Sequence, residues 1–106
     1  MDIRQFDQRI TIQQMTVVRD EVGGHAETWA TLATVWAKVR DMSGKEIFNA
    51  KAVGSSVTQS IIVRYRSDIK PNMRVLFSDG TMARIEWIRH VTRKEFIEML
   101  CLSLNG

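Results

Sequence analysis

Polar and apolar residues alternate through Arg9-Ile10-Thr11-Ile12-Gln13, and Val17-Val18 follow. A period of two built on β-branched residues predicts a strand with one buried face. Asp20-Glu21-Val22-Gly23-Gly24-His25 reads as a turn, because glycines supply the positive φ that a hairpin reversal needs. Thr28-Trp29 and then Leu32 to Arg40 resume the apolar pattern. Ala33 to Asp41 is the second predicted strand, antiparallel to the first. Val35, Ala37 and Val39 point one way, and Trp36 and Lys38 the other.

The next segment changes character. Ser43-Gly44-Lys45-Glu46 fits a capping box, in which Ser and Glu each satisfy a free backbone N–H at a helix start. Ile47, Phe48, Ala50, Lys51 and Ala52 continue the helix, and Gly54 is placed to cap its end. So short a helix is unstable alone and is expected to pack on something.

Val57 to Arg66 predicts a strand with Ile61, Val63 and Tyr65 on one face and Arg64 and Arg66 on the other. Ser67 to Asn72 reads as a turn in which Pro71 sets φ, and Arg74 to Phe77 as a short strand. Asp79-Gly80 is a tight hairpin signal. Met82 to Val91 alternates, with Ala83, Ile85 and Trp87 inward and Arg84, Glu86 and Arg89 outward. Thr92-Arg93-Lys94-Glu95 is a further turn. Phe96 to Leu104 is apolar on both faces, as in a strand covered on both sides.

About six strands at short spacing, with no βαβ alternation, predict a mainly β chain. The expected fold is one domain over 1–106, a small antiparallel β-barrel or sandwich with one short inserted α-helix. The helix lies on the one long connection, 42–58, and long connections in compact domains are usually functional or mobile.

Composition narrows the class. At 106 residues, 44% hydrophobic and 25% charged, the chain is neither a disordered tail nor a disulfide scaffold. No apolar run approaches the ~20 residues that span a bilayer, and no apolar h-region marks the start for secretion. The single cysteine, Cys101, lies in an apolar run and is expected to be buried and inert. A reducing compartment such as bacterial cytoplasm fits.

The net charge is +3, and its distribution says more than its size. Acidic and basic residues balance from Met1 to Ser60. From Ile61 onward, Arg64, Arg66, Lys70, Arg74, Arg84, Arg89, Arg93 and Lys94 outnumber Asp68, Asp79, Glu86, Glu95 and Glu98. That excess is modest beside the clustered faces of most nucleic-acid domains.

Catalytic and metal chemistry find little support. His25, His90 and Cys101 are far apart in sequence, with no ligand-spacing motif, so no metal is expected. Neither histidine comes with a nucleophile motif, and no Gly-rich phosphate loop exists. His25 in its Gly-Gly turn reads as a solvated side chain. The Asp and Glu residues read as turn formers and solvated faces. No enzymatic activity and no cofactor are expected.

The aromatics are a better lead. Trp36 and Trp87 read as core, and Trp29, beside a turn, as either core or interfacial. Tyr65 between Arg64 and Arg66 has the look of a stacking platform flanked by cations. It shares its face with Ile61 and Val63, however, and core packing is preferred. Arg64, Arg66, Arg84 and Arg89 make either one basic sheet face or, the preferred reading, a solvated strand face. On the helix Ile47 and Phe48 are adjacent, so one of them is expected to be exposed, which on a small domain marks a partner site. The pattern suits an assembly component better than a free monomer.

In this layout the chain resembles the phage head-closure family, also called head–tail joining or stopper proteins. Phe6-Asp7-Gln8-Arg9-Ile10-Thr11-Ile12-Gln13 is similar to the family's opening L-x-x-R-I-x-I-Q. The Gly-Gly turn and Trp29 follow. Leu32-Ala33-Thr34-Val35-Trp36-Ala37-Lys38-Val39 is similar to its "tvWAkv" strand, and Ser43-Gly44-Lys45-Glu46 sits where members carry G-x-E before a helix. Ile62-Val63-Arg64-Tyr65-Arg66 resembles its "i-R-Y-r" strand, and Ile69 to Val75 the turn after it. The motifs are short, and their order and spacing over nearly the whole chain carry the resemblance. The chain departs from the pattern at Asp79-Gly80-Thr81 and at Trp87, where aliphatic residues or Asn are common.

The resemblance implies a virion protein made in the bacterial cytoplasm, without catalysis. It would form a homo-oligomeric ring, expected to be twelve-fold, stacked below the portal and adaptor. The ring would close the channel, hold packaged DNA non-specifically and dock a tail-terminator or tail protein, with no membrane partner. On this reading Lys45, Ile47, Phe48 and Lys51 of the 42–58 excursion, together with Gly23, Gly24, His25 and Trp29, are candidate interface residues. Arg64, Arg66, Lys45 and Lys51 are candidate lumen residues facing DNA. Two alternatives stay open: a single-stranded nucleic-acid-binding barrel resting on Arg64-Tyr65-Arg66, and a tail-terminator-like ring protein on the tail side. A small hydrolase is disfavoured because no catalytic constellation is present.

Overall fold

The period-two segment around Ile10 and Ile12 forms strand β1 (Gln8–Arg19), and the apolar stretch after it forms β2 (His25–Asp41). The computed structural model describes residues 3–19, 21–91 and 95–104. After β2 come helix α1 (Gly44–Ala52) and strands β3 (Gln59–Arg64), β4 (Arg74–Phe77), β5 (Met82–Val91) and β6 (Phe96–Ser103). Among the described residues, six strands close into a barrel in the order β1-β2-β3-β6-β5-β4, every pairing antiparallel. Closure satisfies backbone groups that an open sheet would leave along its edges.

Alternation sends one side chain in two into the lumen of this barrel. Ile10, Ile12, Ala37, Ile61, Val63, Val75, Ala83, Ile85, Ile97, Met99 and Cys101 fill it, with Ile69 from the β3–β4 loop. The fold is therefore a closed barrel rather than a sandwich.

The first two strands outrun the barrel. β4 pairs with β1 only over residues 10–13, and β3 pairs with β2 only over residues 38–41. Residues 14–19 and 25–30 pair only with each other, as a two-stranded arm on a molecule 49 × 31 × 28 Å in extent. The arm leaves at a bulge: Ile12 faces Ala33 and Gln13 faces Thr31, so Leu32 has no partner and packs on the core. The second strand thus begins at His25, eight residues before Ala33, because the run from Ala26 to Leu32 continues the ladder.

Several expectations need correction. β3 ends at Arg64; Tyr65 leaves the strand, donates its N–H to the Glu95 carbonyl at 3.0 Å, and lies exposed against His90 with ring centroids 5.5 Å apart. It is not core. Trp87 is not inward: Ile85 faces Cys101 while Trp87 faces Leu100, so Glu86 is the extra residue of a bulge. The bulge inverts the alternation, leaving Trp87 55% exposed and turning Ile88 onto the core. Trp36 is also outside and 52% exposed, since among the described residues no second layer covers its face of β2. Asp20 of the first turn, and Thr92, Arg93 and Lys94 of the last, lie outside the described residues.

Candidate assembly surfaces

The excursion between β2 and β3 is fastened to the barrel at both ends. At its neck the Met42 N–H donates to the Thr58 carbonyl at 3.0 Å. Ser43 and Glu46 make the expected capping box: Glu46 N–H donates to Ser43 Oγ at 3.2 Å, and Ser43 N–H to Glu46 Oε1 at 3.1 Å. Arg40 at the end of β2 donates two hydrogen bonds to the same carboxylate, at 2.8 and 3.0 Å. The Arg40 guanidinium, followed by the Ser43 groups, holds the Glu46 carboxyl down to about 2. At the far end Gly54 takes φ +83°, and the Gly54 and Ser55 N–H groups reach the Lys51 and Ala50 carbonyls at 3.0 and 2.9 Å. Buried Ser55 then accepts a hydrogen bond from Trp87 Nε1 at 2.9 Å.

These anchors replace the packing that so short a helix was expected to need: α1 buries no residue. Ile47 is half-buried, while Phe48 is 72% exposed and Lys45, Lys51 and Val53 are exposed. Between α1 and the outer sheet runs a groove of about 380 Å³, with Met42, Ala50, Val53, Val57, Trp87 and Leu100 among its walls.

Next to this groove the outer face holds a buried carboxylate that the sequence reading took for a solvated one. Glu98 of β6 accepts from Ser60 Oγ of β3 and from Arg89 Nε of β5, so that three strands are tied across one face. The available signal was a lone acid inside the apolar run Phe96–Leu104. With Ser60 and Arg89 as its partners, the arrangement is a structural clasp.

Arg64, Arg66, Arg84 and Arg89 do not form one face of unpaired cations. Arg66 pairs with Asp68 at 2.8 Å, Arg84 with Glu86 at 2.7 Å, and Arg89 with Glu98. Arg64 is exposed and lies over the Phe96 ring, 5.7 Å from its centroid. Arg64 and Arg66 are not brought together with Lys45 and Lys51, which sit on α1. Arg66 is paired with Asp68 and the Tyr65 ring lies against His90, which disfavours the Arg64-Tyr65-Arg66 run as a stacking platform.

The arm carries the other expected interface residues. Gly23, at φ +81°, makes the reversal, Gly24 is half-buried, and His25 opens β2. The reading of His25 as a solvated side chain falls outside what is described. Trp29 is half-buried and faces Met15 across the ladder, and the Arg74 guanidinium caps its ring at 4.3 Å. Sequence reasoning missed the exposed apolar residues of this arm: Met15, Val17, Val18 and Val22 are 48, 60, 52 and 91% exposed.

Cys101 is fully enclosed in the barrel, and burial pushes its thiol up to about 12. Among the described residues no three His, Cys, Asp or Glu side chains group so as to hold a metal ion. No helix among them is long and apolar enough to cross a membrane.

A closed barrel that shows its surroundings an apolar arm and an anchored, uncovered helix has the surfaces of a structural assembly module. A family model described as phage head completion protein matches residues 1–104, and the chain belongs to that family. It is a structural head-closure protein and a component of the virion. Head completion protein gp7 of Enterobacteria phage HK97 is 29% identical over 80 residues, which cover 76% of this chain and 71% of the relative. The solution structure of protein SF1141 from Shigella flexneri 2a superposes with a TM-score of 0.83 at 32% identity, covering 98% of this chain and 97% of that one. A chain from the virion of a native gene transfer agent particle shares the fold at 16% identity, with a TM-score of 0.61 over 94% of this chain and 96% of its own.

Proposed function

We propose that identical copies of this chain form a ring at the head–tail junction, below the portal or adaptor, which retains packaged DNA and offers the tail a docking surface without catalysing a reaction. The observation that carries this reading is the excursion: α1 is held to the barrel by Arg40–Glu46 and Trp87–Ser55, yet leaves Phe48 and Val53 uncovered. Exposed apolar side chains on a fixed element suit a partner that arrives later. Lys45 and Lys51 on that helix make no ion pair among the described residues, so a ring would present them as a repeated set of weak cationic contacts suited to phosphate without base readout.

Replacement of Phe48 by Asp tests the reading. F48D is expected to fold with unchanged stability and to leave filled heads that lose DNA to nuclease and fail to join tails. Normal titre and nuclease-resistant heads from F48D would count against the excursion's role.

A further inference from the structure

The ring reading leaves open how copies touch, and two features point to one answer. The first is the arm, residues 14–19 and 21–30, whose strands have no other sheet neighbour among the described residues and which exposes Val17, Val18 and Val22. An isolated two-stranded ribbon with apolar residues on both faces is marginal in water and lacks a covering surface. The second is a groove of about 460 Å³ at the opposite end of β2's free edge, lined by Phe6, Val35, Trp36 and Arg64. That volume is in the range of binding clefts, ~300–1,000 Å³. Phe6, one of its lining residues, packs on Phe96 with ring centroids 5.2 Å apart.

Charge decides what fits the groove. Arg9 lies over the Trp36 ring at 5.2 Å, Arg64 forms a wall, and Lys38 reaches Gln5 at 2.9 Å. Among the described residues none of these three cations is paired with a carboxylate, in contrast to Arg40, Arg66, Arg84 and Arg89. The arm bears the carboxylates Glu21 and Glu27, both exposed and without an ion pair among the described residues, beside the single cation Arg19. An apolar tip with acidic neighbours thus matches an apolar groove that has Arg64 in its wall and Arg9 over its Trp36 ring.

We infer that the arm of one copy seats in the Phe6/Val35/Trp36/Arg64 groove of the next copy. The two patches lie on different parts of the molecule, so the contact is heterologous, and contacts of that kind propagate into a ring when the rotation closes. This inference rests on the ring reading and names its joint.

Disulfide trapping in assembled particles tests it. Cys101 is buried, so new surface cysteines report alone. Particles are assembled under reducing conditions with the double variant V22C/W36C and then oxidised. A ladder of cross-linked multimers is expected, with neither V22C nor W36C alone giving more than background. V17C/W36C serves as an independent pair should V22C disturb the turn. Dimers from V22C alone would show that arms meet each other and would overturn the inference. Particles that contain multiple copies of the chain but give no ladder from either pair would overturn the joint while leaving the ring intact. Particles that contain a single copy would overturn both.

Discussion

Trp87 donates its indole N–H to the Ser55 hydroxyl across 2.9 Å, joining the outer face of β5 to the loop that leaves α1. The contact exists because a bulge at Glu86 rotates Trp87 out of the core. Without the bulge, the same tryptophan would compete with Cys101 and Met99 for the lumen. An irregularity in one strand therefore positions the far end of the excursion.

The two neighbours of that bulge should respond differently to truncation. Ile85 is fully buried, and Ile85→Ala is expected to cost about 2–5 kcal/mol. Trp87→Phe removes one partly exposed hydrogen bond and should cost only ~0.5–1.5 kcal/mol. Urea midpoints at constant slope check the contrast; equal losses would place Trp87 inside the barrel.

The Arg40–Glu46 contact makes α1 sensitive to acid. The folded carboxyl is held down at about 2, below the value it has in an unfolded chain, so its contribution is complete at neutral pH and disappears as pH falls toward 2. Amide exchange in residues 44–52 is expected to quicken over that acid range, and Glu46→Gln should abolish the pH dependence. Protection of α1 that stays constant down to pH 2 would contradict it.

Arg89 and Glu98 should matter more than a surface pair does. Arg89 is largely exposed, but Glu98 is buried, and losing Arg89 leaves its carboxylate with Ser60 as its remaining side-chain hydrogen-bond partner among the described residues. Arg89→Ala is expected to destabilise by about 2 kcal/mol. Arg84→Ala, whose partner Glu86 is half-buried, should change stability by under ~1 kcal/mol. Chemical denaturation of both variants makes the comparison.

Cys101 should be silent in the native protein. Enclosed in the barrel, with a thiol raised to about 12, it is expected to resist a water-soluble maleimide at pH 8 and to react fully in denaturant. Stoichiometric labelling of folded protein would show that the barrel opens.

Much of the fold was legible in the sequence because its signals are local. Alternation at Ile10/Ile12 and Ile61/Val63, the Ser43–Glu46 capping box, and Gly54 and Gly80 each determine their surroundings within a few residues. Features that depend on pairing partners were not legible. The bulge at Glu86 shows only once β5 is aligned with β6, and the end of β3 at Arg64 only once Tyr65 finds the Glu95 carbonyl. Of the candidate surfaces, the excursion was readable as one exposed apolar residue out of Ile47 and Phe48, and the structure assigns the exposure to Phe48. The arm was not, because Met15, Val17 and Val18 look like any other strand until β4 stops at Gln13. The acidic partners of Arg66, Arg84 and Arg89 were visible as letters, and only the geometry shows that the solvated strand face preferred for these arginines carries three ion pairs.

The central claim, that this barrel completes the head of a tailed virion, is tested most directly by electron microscopy of lysates from a phage lacking the chain. DNA-filled heads that leak their contents and stand apart from finished tails are expected, with complementation restoring joined particles. Intact, tailed and infectious virions in normal yield without the chain would contradict it.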